Sequence, residues 1–138
     1  MKEFLNMYQN LNKDNLHLLE SFYAVNVQFI DQAHEIKGLE QLYAYFTALY
    51  QNVESINFSF HNALEGIGEC YVQWDMTFLH SKLAGGRPMT VAGATFLSSD
   101  DNGRVFHHRD YFNLGAMVYE QIPLLGRAIT SIMGRLGK

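Results

Sequence analysis

The sequence predicts an α+β fold, a cone-shaped, curved antiparallel β-sheet wrapped by N-terminal helices, and three observations carry that expectation. Apolar residues recur at three- and four-residue spacing as far as Tyr50. Beyond it the period switches to two, through four runs in which polar and apolar residues alternate. Turn signals rich in Gly, Asn and Asp separate the later runs. Helices that precede an antiparallel meander segregate to one of its faces, which is a two-layer architecture. At 138 residues, 48% hydrophobic and 17% charged, the chain is sized for one domain over positions 1–138 with a single core.

Taken in order, Leu5, Tyr8, Leu11, Leu16, Leu19, Phe22 and Tyr23 predict two helices, broken at Asn12-Lys13-Asp14, where Asn or Asp can cap the second. Val25, Val27 and Phe29 alternate with Asn26, Gln28 and Ile30, a short strand reaching Asp31. Gly38 closes the next loop, and Leu39, Leu42, Tyr43, Phe46, Leu49 and Tyr50 form the stripe of a third helix ending near Asn52. Ile56 to Phe60 and Tyr71 to Phe78 then read as half-buried strands. Ala84-Gly85-Gly86 leads into a strand over Met89 to Leu97, and Asp100-Asp101-Asn102-Gly103 into another over Arg104 to Phe112. Pro123 starts a last helix whose apolar face holds Leu125, Ala128, Ile129, Ile132, Met133 and Leu136. That face is expected to pack across the cone mouth or against a second subunit.

Composition narrows the partners. Fourteen acidic residues against ten basic ones leave a formal charge of −4, and no Lys/Arg cluster offers a phosphate footprint, so nucleic acid is not an expected partner. No apolar run approaches the roughly 18 to 20 residues of a membrane span, and the polar start Met1-Lys2-Glu3 has no signal-peptide pattern. A cytoplasmic protein is expected. Cys70, the one cysteine, has no partner and no local activator, so it reads as an inert thiol. Gly66-Ile67-Gly68 and Gly85-Gly86-Arg87 lack the strand-to-helix setting of a phosphate loop and read as turns. His34, His108 and Asp110 invite a metal, but no HxH or HExxH spacing fixes two ligands on one element, and no metal or cofactor is expected. Ten Phe, eight Tyr and one Trp are enough to line a cavity as well as fill a core.

The stretch His107-His108-Arg109-Asp110-Tyr111-Phe112-Asn113 concentrates the chemistry. Strand alternation puts His108, Asp110 and Phe112 on one face and His107, Arg109 and Tyr111 on the other. Side chains two apart lie roughly 6.6 Å apart along a strand. A ligand or water can bridge His108 and Asp110 as an acid–base pair; equally, the two can form a buried structural pair satisfied by backbone or Arg109.

These residues resemble the SnoaL-like branch of the nuclear transport factor 2-like superfamily, which includes ketosteroid isomerase and limonene epoxide hydrolase. The resemblance is carried by Phe22-Tyr23-Ala24, by Phe29-Ile30-Asp31-Gln32-Ala33-His34 with Gly38, and by His108 to Gly115 followed by Pro123 and Leu125-Gly126. It implies a homodimer built on a cone-shaped sheet, a roll of the cystatin-like kind, with an open pocket. For the isomerases it implies a general base at Asp31 and a helix-one tyrosine at Tyr8, while Ala94-Thr95-Phe96 offers no second acid. For the epoxide hydrolase it matches the catalytic Asp to Asp110, but Trp74, Met76, Phe29 and Asp31 stand at the other positions of that constellation.

The combined expectation is a pocket for a small apolar molecule. Its catalytic candidates are Asp31, Asp110, His108 and Tyr8, and its ligand-binding walls are Phe29, Trp74, Met76, Phe112 and His34. Carboxylates among apolar side chains hold protons more tightly, which poises acids and bases for isomerase, hydratase or cyclase chemistry. The same pocket also suits a non-catalytic carrier, sensor or dimerising accessory protein.

Overall fold

A computed structural model describes residues 1–51, 53–80, 84–113 and 134–136. The chain opens with helix α1 (Lys2–Asn10), a 3₁₀ turn (Leu16–Leu18) and the single-turn helix α2 (Leu19–Phe22). Strands β1 (Tyr23–Ile30) and β2 (Glu35–Lys37) follow, then helix α3 (Leu39–Gln51). The rest is a meander of β3 (Val53–Gly66), β4 (Glu69–His80), β5 (Met89–Ser99) and β6 (Val105–Phe112). The six strands make one curved, open sheet in the order β2-β1-β6-β5-β4-β3. The meander is antiparallel as expected, whereas β1 joins β6 in parallel, because the chain returns from α3 to the far edge before building inward.

Period-two patterning decides what faces the concave side. Val72, Trp74 and Phe78 of β4 are buried while Tyr71 and Gln73 are exposed. Helices α1 and α3 lie over this face and bury Phe4, Met7 and Tyr8 from one and Leu42, Phe46 and Tyr50 from the other. Together with Leu19, Tyr23, Val27 and Leu97 these form one continuous core. The β5–β6 turn has a clear local cause: Asp100 accepts the backbone N–H groups of Asn102 and Arg104 on Oδ1, and Gly103 supplies the positive φ of 78°.

Four expectations are corrected. Tyr23 does not end a helix but starts β1, paired with Val105 and fully buried. Val25 is 78% exposed instead of facing inward with Val27 and Phe29, because the β1–β6 register shifts between Tyr23 and Gln28 and a bulge interrupts the alternation. The third helix turns Tyr45 inward in place of Tyr43, which is exposed. The second helix is only a 3₁₀ turn and one α turn, and Asn12 and Asn15 bond the loop backbone instead of capping it. The expected helix beginning at Pro123 lies outside the described residues apart from residues 134–136, which are helical and exposed, Leu136 among them.

One close approach sets the cavity wall. Trp74 on β4 pairs with Gly93 on β5, and a Cβ at Gly93 would overlap the indole ring. The missing side chain lets the indole lie flat across β5. Gly93→Ala is expected to displace Trp74 and destabilise the fold by about 1–3 kcal/mol. Urea unfolding followed by the emission of this single tryptophan measures both effects, and an unshifted emission with unchanged stability would contradict the packing described.

Candidate functional site

Between the concave face and helices α1 and α3 lies a cavity of about 260 Å³. Eight of the nine expected site residues, Tyr8, Phe29, Asp31, His34, Trp74, Met76, Asp110 and Phe112, line it. The ninth, His108, sits behind Asp110 against a small adjoining void of about 20 Å³ that also touches Tyr8, Trp74 and Thr95. That is room for one water molecule.

Asp110 is held by a directional network. The indole of Trp74 donates from Nε1 to Thr95 Oγ1 at 2.8 Å, and Thr95 donates to Asp110 Oδ1 at 2.6 Å. Indole N–H is a donor only, so the hydroxyl proton of Thr95 is free to point at the carboxylate. From the other side His108 Nε2 lies 2.7 Å from the same Oδ1, and the hydroxyl of Tyr23 lies 2.7 Å from His108 Nδ1. A neutral imidazole with its proton on Nε2 donates to Asp110 and accepts from Tyr23, so both ring nitrogens are satisfied. The β5–β6 register makes this possible, since Thr95 stands opposite Asp110. Among the described residues Asp110 Oδ2 has no hydrogen-bond partner. His108 is therefore buried and met at both ring nitrogens, and the half-buried Asp110 is held at Oδ1, by Tyr23 and Thr95 rather than by Arg109, which turns to the outer face and lies over the Tyr111 ring at 5.1 Å.

Asp31 follows β1 in a tight turn. Its Oδ1 accepts the backbone N–H groups of Ala33 and His34, both at 2.7 Å, and lies 3.3 Å from His34 Nδ1. Its Oδ2 accepts the hydroxyl of Tyr45 at 3.2 Å. Both oxygens are engaged, and the side chain is 6% exposed. Ile30 pairs with Arg109, so the next residues, Asp31 and Asp110, leave neighbouring strands at one level. His34 serves Asp31 and not the His108 pair, and among the described residues no three metal-binding side chains converge.

Burial shifts the phenols around these carboxylates. Tyr8 and Tyr23 are pushed well above the ordinary phenol value by desolvation first, with the charges of Tyr23 and Asp110 adding to Tyr8 and that of Asp110 to Tyr23. Tyr45 rises for the same first reason, with Asp31 and Asp110 adding, and Tyr50 rises through burial alone. Three of the site's polar groups, Tyr23, Thr95 and Tyr45, were absent from the expected set. Tyr45 had a readable signal, since positions 42, 45, 46 and 49 follow the helical template. Thr95 meets Asp110 across the β5–β6 hairpin, a register that depends on how the turn closes, and Tyr23 reaches His108 only through the pairing of β1 with β6, so no local pattern marks either.

Residues 4–108 match the model of the SnoaL-like domain family. In a comparison with curated proteins none matches the chain. Among solved structures, a candidate SnoaL-like polyketide cyclase from Shewanella putrefaciens is 17% identical with a TM-score of 0.75, over 89% of this chain and 96% of that one. A nuclear transport factor 2-like protein from Burkholderia pseudomallei is 13% identical with a TM-score of 0.69, over 80% and 87%. An epoxide hydrolase from M. tuberculosis, similar to limonene epoxide hydrolase, is 16% identical with a TM-score of 0.66, over 83% and 76%. At these identities the likeness is one of fold.

The raised phenols set an alkaline limit. A group whose folded value exceeds its unfolded value of about 10 contributes stability that is complete below that pH and is lost as pH climbs above it. Tyr8, Tyr23, Tyr45 and Tyr50 are expected to ionise only as the chain unfolds, above about pH 10. Tyrosinate absorbance recorded beside circular dichroism tests this. Ionisation of all eight tyrosines before any loss of structure would contradict it.

Proposed function

Because this chain belongs to the SnoaL-like domain family, we propose that it is a cytoplasmic protein that holds a small, largely apolar molecule in its aromatic cavity and moves a proton on it through Asp110. The observation that carries this reading is the one-sided bonding of Asp110: Thr95 and His108 both meet Oδ1, and Oδ2 is left without a partner among the described residues.

The mechanism follows from that asymmetry. Oδ2 accepts a proton from a carbon next to a carbonyl group, and the electron pair of the broken C–H bond moves to the carbonyl oxygen. The Thr95 and His108 bonds hold the carboxylate at a fixed angle while it does so, which is the positioning that proton transfer needs. Tyr8, kept protonated chiefly by burial, faces the same cavity and leans its hydroxyl toward Tyr23; turning that donor to the oxygen that gains charge stabilises it. Asp31 is the weaker candidate for the base, since turn amides and Tyr45 already occupy both of its oxygens. An isomerase, hydratase or cyclase step can be built on this arrangement.

A second reading, a non-catalytic carrier, draws support from Trp74 and Met76. They stand where the resemblance places the other charged members of the epoxide hydrolase constellation, and they supply wall instead of chemistry. The two readings separate on carbon-bound hydrogen exchange. With 2-tetralone, a two-ring ketone, in deuterated buffer, proton NMR is expected to show exchange at the position next to the carbonyl, falling about 10²–10⁴-fold in Asp110→Asn. Binding of the ketone with no exchange above the buffer rate would leave only the carrier, and equal exchange in the variant would take the proton transfer away from Asp110.

A further inference from the structure

We infer that the molecule this cavity is built to hold carries a positive charge: an ammonium group, quaternary or protonated, on a small apolar or aromatic frame. The inference rests on the reading of the cavity as a ligand site and adds the charge of the ligand.

Its first support is an imbalance of charge. Asp31 and Asp110 leave neighbouring strands at one level and both face the cavity. Among the described residues that line it there is no Lys or Arg. The one ionisable base at the wall is His34, whose side chain is half exposed at the rim against Asp31. Arg109, although next to Asp110 in sequence, is on the opposite face over Tyr111. The groups that bond the two carboxylates are an alcohol, a phenol, backbone amides and imidazoles. These orient the carboxylates, and none of them is a fixed cation: His34 lies beside Asp31, and the two ring nitrogens of His108 are shared between Asp110 and Tyr23.

The second support is the shape of the walls. Tyr8 and Phe58 meet at 76° with centroids 5.1 Å apart, and Phe58 and Trp74 meet at 82° with centroids 5.5 Å apart. These rings pack edge to face on one another and, with Phe29, Tyr45, Phe46 and Phe112, make the wall of the cavity aromatic, the kind of lining that attracts an ammonium ion. Aromatic faces carry the negative part of the ring quadrupole, so they add to the field of the carboxylates. Burial is the largest cause that keeps the surrounding phenols protonated, and the carboxyl groups add to it, Asp31 and then Asp110 on Tyr45, and Asp110 after Tyr23 on Tyr8. An anionic ligand meets two carboxyl groups and aromatic walls with no Lys or Arg among the described lining residues. A neutral one makes no use of the carboxyl group of Asp110, which has no cationic partner there. An ammonium group offsets these carboxyl groups, and beside a carbon that loses its proton to Asp110 it also stabilises the charge that develops there.

The volume of about 260 Å³ fits a frame of one or two rings. The test uses phenyltrimethylammonium, its neutral isostere tert-butylbenzene, and benzoate, each titrated against the emission of Trp74, the only tryptophan in the chain. The cation is expected to bind about tenfold tighter than the isostere, and benzoate to show no saturation. Asp110→Asn and Asp31→Asn, made separately, are each expected to weaken the cation several-fold while leaving tert-butylbenzene unchanged, which also shows that each variant is folded. Equal affinity for cation and isostere, or saturable binding of benzoate, would overturn the charge assignment and leave the ligand site standing. No response to any of the three would remove both.

Discussion

A carboxylate placed in an apolar interior needs donors, and the arrangement of this protein follows from how Asp110 obtains them. Its Oδ1 takes one bond from Thr95 and one from His108, and each of those donors is itself fixed from behind, by Trp74 and by Tyr23. Five side chains from four strands are thereby tied together, and among the described residues every buried side-chain polar atom has a partner. A half-satisfied network of this kind is worse than an apolar core, whereas a complete one specifies a single geometry. The pairing of β1 with β6 brings Tyr23 and His108 to one sheet, and the absent side chain at Gly93 admits the indole that anchors Thr95.

The network also explains the shape of the cavity. Because Trp74 must point its Nε1 at Thr95, its ring forms one wall; because His108 lies between Tyr23 and Asp110, it is packed under Phe29, 4.5 Å between centroids, and beside Phe4 and Tyr8. Helix α1 supplies Phe4 and Tyr8 to that stack, and α3 supplies Phe46 and Tyr45. Most of the aromatic surplus of the sequence is thus spent around two carboxylates. Sequence resemblance and fold likeness place the chain in a family that hosts more than one chemistry, so its function has to be argued from this site.

Much of this was legible in the residues alone. The alternation in β4 and β6 put Trp74 and Met76 on one face and His108, Asp110 and Phe112 together, since a period of two is a strong local signal. The turn at Gly103 and the helical stripe of α3 followed from local chemistry as well. What escaped was non-local. The bulge that exposes Val25 depends on pairing with β6, some eighty residues later in the chain, and the parallel joining of β1 depends on the whole topology. Strand β2 has three residues and no apolar alternation to reveal it. Asp31 and Asp110 each drew notice as acids, yet that one is bonded on both oxygens and the other on one is a fact of tertiary geometry.

The central claim is that His108 holds Asp110 by a single oxygen while accepting from Tyr23, and nitrogen NMR of the imidazole reads that state directly. Long-range proton–nitrogen correlations at neutral pH are expected to show His108 with its proton on Nε2 and an acceptor-type Nδ1, and the Nδ1 shift is expected to move in Tyr23→Phe. A proton resident on Nδ1, or rapid averaging of the two nitrogens as in an unbonded imidazole, would contradict the network and with it the open oxygen on which the site depends.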